Sequence, residues 1–213
     1  MSSTEMPPNR PFATLRRFVR ERDPAEACEL CNAALLVSHA HLIEPASRRI
    51  LCACEACAIL FSDRAAARYK RIPRRLRYLS DFRLSDAQWE SLMIPINMAF
   101  FFTSTPAART VAIYPSPAGP TESSLDLQSW DEIAAANPVL NEMQPDVEAL
   151  LVSRTSQAQE VYLVPIDECY KLVGLIRANW RGLSGGAEVW QALAEFFAGL
   201  RQRTGAIEKE ARA

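Results

Sequence analysis

Four cysteines stand in two pairs, Cys28-x2-Cys31 and Cys54-x2-Cys57, separated by 22 residues. Two thiolates three positions apart can reach one ion from a single tight turn. Four of them suit a borderline-soft ion in tetrahedral coordination, so Cys28, Cys31, Cys54 and Cys57 are the expected ligands of Zn²⁺. The gap slightly exceeds the roughly 15–20 residues usual between such pairs, and accommodates a short hairpin. Iron held by thiolates, or an Fe–S cluster, uses the same ligand type and stays open as an alternative. In a reducing compartment this spacing favours a metal over disulfides.

Other reactive side chains crowd the same stretch. Cys52 lies two positions before Cys54 and is expected to end a strand and pack inward; substituting for Cys54 as a ligand, or acting as a reactive bystander, are the alternatives. His39 and His41, the two histidines of the chain, alternate and so share a face of a strand. They are expected near the turn, outside a site that four thiolates already close. Ser38-His39 followed by Glu44-Pro45 faintly resembles the HNH nucleases, but Ser38 replaces their Asp and Ala58 follows Cys57 where they carry His. Cys169 follows Asp167 and Glu168, two carboxylates that raise a thiol pKa, and is expected in a core.

The elements that must position these residues follow from pattern and punctuation. Residues 35–37 and 49–51 are expected as the two strands of a hairpin, and residues 55–62 as a helix that Cys54 and Cys57 open. A helix N-terminus favours thiolates. Knuckle, hairpin and helix together make a treble-clef or zinc-ribbon-like module over residues 24–63. Residues 1–23 form a tail in which residues 11–21 pattern as a short basic helix. A basic connector covers residues 64–79 and an α+β domain residues 80–213.

Within that last part, Ser85 caps a helix that Pro95 stops. Residues 97–103, 110–114, 147–153 and 161–166 are rich in aromatic and β-branched residues and predict strands. Residues 127–136 predict a helix, Asp167 caps another running to Trp180, and a third starts at Ala187. Short connections between adjacent strands favour an antiparallel sheet with helices packed on it. The segment Pro115-Ser116-Pro117-Ala118-Gly119-Pro120 is expected to be a loop and a candidate binding segment.

The chain has 213 residues with a formal net charge of −1, enough for one ordinary domain and a small module. No apolar run approaches the length that spans a bilayer, and the N-terminal segment lacks an apolar signal core, so a cytoplasmic address is the expectation. Arg64, Arg68, Lys70, Arg71, Arg74, Arg75 and Arg77 face no acidic residue within residues 64–80. Such a run beside a zinc module can contact phosphates. However, residues 122–168 hold ten acidic residues against Arg154 alone, and can receive the basic connector instead. A protein partner is therefore ranked above nucleic acid. Gly-rich phosphate loops, G-x-S-x-G and H-E-x-x-H are absent, which leans away from an enzyme.

The stretches Cys28-Glu29-Leu30-Cys31, Leu51-Cys52-Ala53-Cys54, Leu84-Ser85-Asp86-Ala87-Gln88-Trp89 with Ile94-Pro95, Tyr114-Pro115-Ser116-Pro117-Ala118-Gly119 and Trp180-Arg181-Gly182 carry a resemblance. They are similar to a bacterial family of uncharacterised function, often encoded beside oxygen-tolerant, high-affinity [NiFe]-hydrogenases. The similarity runs from Cys28 to about Leu200. It implies Cys28, Cys31, Cys54 and Cys57 as metal ligands, and a hydrogenase accessory, maturation or electron-transfer role. The expectation is a zinc-binding accessory protein that docks on a protein partner. An iron redox protein and a nucleic-acid-binding zinc module are the alternatives.

Overall fold

The computed structural model describes residues 26–62, 67–123, 128–155, 159–182 and 185–211. The chain is an α+β protein with two antiparallel sheets. The smaller sheet follows the first cysteine pair: β1 (Ala40–Glu44) and β2 (Arg49–Ala53) form a hairpin, and β3 (Lys70–Arg71) adds to β1, giving the order β2-β1-β3. Between β2 and β3 lies α1 (Glu55–Ser62), on the residues that the sequence predicts.

The larger sheet has the order β4-β9-β8-β5-β6-β7, every neighbour antiparallel. Its strands are β4 (Arg77–Tyr78), β5 (Met98–Ser104), β6 (Arg109–Ser116), β7 (Gly119–Glu122), β8 (Glu148–Ser153) and β9 (Glu160–Pro165). Successive side chains of a strand point to opposite faces. Phe100 and Phe102 therefore pack with Leu172, Val173, Ile176, Val189 and Phe197 on one side, beneath α4 (Ile166–Asn179) and α5 (Gly186–Ala211). Phe101 turns the other way, onto Trp89, Trp130 and Ile133 of α2 (Asp86–Ser91) and α3 (Gln128–Ala136). Covering on both faces explains why β5 and β8 carry unbroken apolar runs rather than an apolar–polar alternation.

Helix α2 starts as expected: Ser85 accepts from the Gln88 amide, and Gln88 returns a bond to the Ser85 backbone. It ends at Ser91, before Pro95, with Leu92 as its C-cap, so Pro95 is not the stop. The segment 115–120 is not an irregular loop. It is the tip of the β6–β7 hairpin, where Pro115 faces Pro120 and Gly119 has φ 127°. Prolines stand here because this hairpin forms the edge of the sheet. Residues 35–37 are not a strand either: the outgoing strand is β1, shifted toward the turn. The basic helix expected over residues 11–21 lies outside the described residues.

The small sheet is docked on the large one through both core and charge. Ile43 of β1 and Ile72 and Leu76 beyond β3 join the core beneath α4 and α5. Lys70 pairs with Asp146, and Arg75 makes a two-pronged bond to Glu148, whose side chain is fully buried. Arg48 of the β1–β2 turn reaches Glu122 at the end of β7, while Arg77, already in β4 of the larger sheet, pairs with Glu142. The described part of the connector, residues 67–79, thus supplies one strand to each sheet, β3 and β4.

Candidate metal centre

Cys28 and Cys31 sit in a tight turn closed by an Ala27–Ala34 bridge. The Cys28 amide donates to the Ala33 carbonyl and the Asn32 amide to the Cys28 carbonyl, with Asn32 at φ 61°. The Glu29 amide donates to the Cys52 carbonyl at 2.9 Å, which pins this knuckle to β2. Cys54 precedes α1 and Cys57 stands in its first turn, with the Ala58 amide donating to the Cys54 carbonyl.

These local devices bring the four sulfurs of Cys28, Cys31, Cys54 and Cys57 within 4.8 Å of one another. Cys31 Sγ and Cys54 Sγ are 3.7 Å apart. That is far beyond a disulfide's roughly 2.05 Å. It matches the edge, about 3.8 Å, of a tetrahedron with metal–sulfur bonds of about 2.3 Å. Cys28 and Cys57 are buried, Cys54 is half-buried and Cys31 is exposed. Such a cluster can hold a metal ion.

The electrostatics suit a cation. Burial opposes ionisation of Cys28, yet the backbone amides of Cys54, Cys31 and Leu30 bring its thiol down to about 6. Burial and the neighbouring thiols push Cys57 up to about 12. Without a cation Cys28 thus ionises far more readily than Cys57. A bound divalent ion would remove this difference, since a coordinating thiol is deprotonated outright.

Cys52 does not join the four. It faces His41 across the β1–β2 ladder, and cross-strand partners share a face. Its thiol is half-buried and raised by burial and by Glu26 and Glu29. His39 and His41 lie outside the four-cysteine cluster, and both are half-buried. The His39 side chain is 8% exposed, and the His41 ring bonds Asp167 of α4 at 2.6 Å, which raises its pKa. Asp167 is consequently not the cap of α4. The helix starts at Ile166 after Pro165, and the Asp167 carboxylate reaches across to β1. No sequence pattern signals that contact. Cys169 is fully buried in the core and its thiol is raised well above the ordinary value by burial, then by Asp167 and Glu168.

The tip of the β6–β7 hairpin lines a cavity of about 400 Å³ with Tyr114, Pro115, Met98, Ile176, Trp180 and Trp190. Its wall is mainly apolar. Among the described residues no helix is long and apolar enough to cross a membrane.

Fold and site together define an α+β protein carrying a four-cysteine cluster ahead of a helix-covered antiparallel sheet. The chain belongs to a family of unknown function, DUF5947, which matches residues 27–204. That match takes in the cysteine cluster and both sheets. No curated protein and no solved structure matches the chain.

Proposed function

We propose that this protein is a zinc-binding accessory protein that docks on a protein partner in the assembly or maturation of a [NiFe]-hydrogenase. The observation that supports the metal is the four-sulfur cluster with its 3.7 Å contact of tetrahedral size. Four thiolates close a structural zinc site and leave no position for substrate. Among the described residues the small sheet beneath it has its own small core of Ala40, Leu42, Leu51, Ala53, Ala58, Cys28 and Cys57, edged by Leu30, Leu35, Cys54 and Tyr69. A metal therefore stabilises a unit too small to hold itself.

Docking is supported by the apolar side chains that the same module leaves in solvent: Leu36 and Val37 after the knuckle, and Ile59, Leu60 and Phe61 on α1. Buried apolar side chains contribute roughly 1.5–3 kcal/mol each, so covering this set stabilises a complex appreciably. The hydrogenase context rests on the sequence resemblance alone. The protein is expected to act in the cytoplasm.

The decisive test is metal content and visible spectrum of protein purified without oxygen or added metal. Zinc at the four-cysteine site with no visible absorption is expected, because Zn²⁺ has filled d orbitals. Iron with thiolate absorption would overturn zinc in favour of an electron carrier. For docking, Leu60→Asp is expected to abolish co-purification with the hydrogenase or its maturation factors while leaving the zinc in place. Retention of both would overturn this surface.

A further inference from the structure

A second set of ligand atoms stands apart from the four-cysteine cluster. His39, His41 and Cys52 bring one nitrogen, one nitrogen and one sulfur within 4.8 Å of one another. The antiparallel register creates the group: His41 lies opposite Cys52, and His39 precedes His41 by two residues.

The hydrogen bonds of the two rings fix which nitrogens are free. His39 Nδ1 lies 2.9 Å from the Leu36 carbonyl oxygen, which can only accept, so Nδ1 carries the proton. His41 Nδ1 lies 2.6 Å from the Asp167 carboxylate and donates to it. In the neutral rings both Nε2 atoms then carry lone pairs, and these face each other at 3.1 Å. Two lone pairs at that distance repel unless a proton or a metal cation bridges them. A tetrahedral ion with bonds of about 2.0–2.1 Å to nitrogen sets its ligands about 3.3 Å apart.

We propose that His39 Nε2, His41 Nε2 and Cys52 Sγ form a second metal site for a borderline divalent ion such as Zn²⁺, with a fourth position open to exchange.

The surroundings fit that assignment. Metal-bound histidines almost always donate their other ring N–H to a carboxylate or a backbone carbonyl, and both do so here. Cys52 is held from behind, its amide donating to Glu29 Oε1 and its carbonyl accepting from the Glu29 amide. Two imidazoles and one thiolate suit zinc, and three protein ligands are the number that leaves room for an exogenous one. His41 and Cys52 are half-buried, so the ion is reachable from solvent. Because Asp167 belongs to α4, ion binding here would also tie the small sheet to the body of the protein.

The test is anaerobic titration of the full chain with Co²⁺, followed by optical absorption and direct metal analysis. Two equivalents are expected, one with a four-thiolate spectrum and one with a mixed nitrogen–sulfur spectrum. Cys52→Ser and His41→Ala should each remove the second equivalent and leave the four-thiolate spectrum, which certifies that the variant is folded. Asp167→Asn should weaken the second equivalent about 10–100-fold. Uptake of one equivalent by the unaltered chain would overturn the site and assign the close nitrogens to a shared proton. Two equivalents persisting in Cys52→Ser would overturn it as well. Failure of the four-cysteine reading is distinct: it removes the four-thiolate spectrum instead.

Discussion

At the scale of single residues, proton competition governs the four-cysteine site. Metal ligands must be deprotonated, so affinity falls as pH drops. In the metal-free cluster Cys28 titrates near 6, whereas Cys57 is held up at about 12. Metal uptake at pH 7 must therefore expel a proton from Cys57, and acidification through pH 6 adds protonation of Cys28 to the competition. Calorimetry in buffers of different ionisation enthalpy is expected to reveal proton release on zinc binding, and lowering the pH from 7 to 5 to weaken binding at least tenfold. Affinity independent of pH would show that these thiols are not the ligands. Any one of the four changed to Ser should lower the melting temperature to that of chelator-treated protein.

At the scale of elements, docking of the small sheet depends on a few buried charges. Glu148 opens β8 with no exposure, and Arg75 supplies two of its hydrogen bonds. Among the described residues, Arg75→Ala leaves that carboxylate with the Gln144 amide alone. Since Arg75 is itself about a third exposed, water offsets part of the loss. The expected cost is about 2–3 kcal/mol, read from urea unfolding. A change under 0.5 kcal/mol would mean that the pair is solvated in solution. The turn between α4 and α5 makes a different demand. Gly185 has φ +90°, and an added Cβ would lie 2.8 Å from Val189 Cγ1 and 3.3 Å from the Trp180 ring. Gly185→Ala should cost about 1–3 kcal/mol by the same measurement, through backbone strain and displacement of the first turn of α5.

At the scale of the whole molecule, the described part of the basic connector is largely paired within the chain. Arg68, Lys70, Arg71, Arg75 and Arg77 each face a carboxylate: Glu44, Asp146, Glu55, Glu148 and Glu142 in turn. A basic run spent on such pairs offers little net charge to phosphates. Binding of double-stranded DNA is therefore expected to be weaker than about 10 μM even at low salt, where counterion release is most favourable. Tight, strongly salt-dependent binding in a fluorescence titration would contradict this and revive a nucleic-acid role. The acidic stretch that follows is correspondingly a receiving surface for the connector, through Glu142, Asp146 and Glu148.

Features whose causes are local were legible in the sequence. Cysteines three apart, the helix over Glu55–Ser62, the Ser85–Gln88 capping box and the apolar runs of β5 and β8 each depend on neighbours within a few positions. Together they sufficed for the fold class and for grouping Cys28, Cys31, Cys54 and Cys57. Where the pattern is weak, local sequence misleads. Leu35 to Val37 look like a strand, but pairing to β2 selected Ala40–Glu44, and prolines masked the β6–β7 hairpin because edge strands tolerate them. The grouping of His39, His41 and Cys52, and the bond from His41 to Asp167, came from tertiary structure. Hairpin register sets a cysteine against a histidine, and the docking of β1 on α4 brings a carboxylate from 126 positions away. Register and docking follow from burying Ile43, Ile72 and Leu76 in a shared core, a long-range condition that no local spacing encodes.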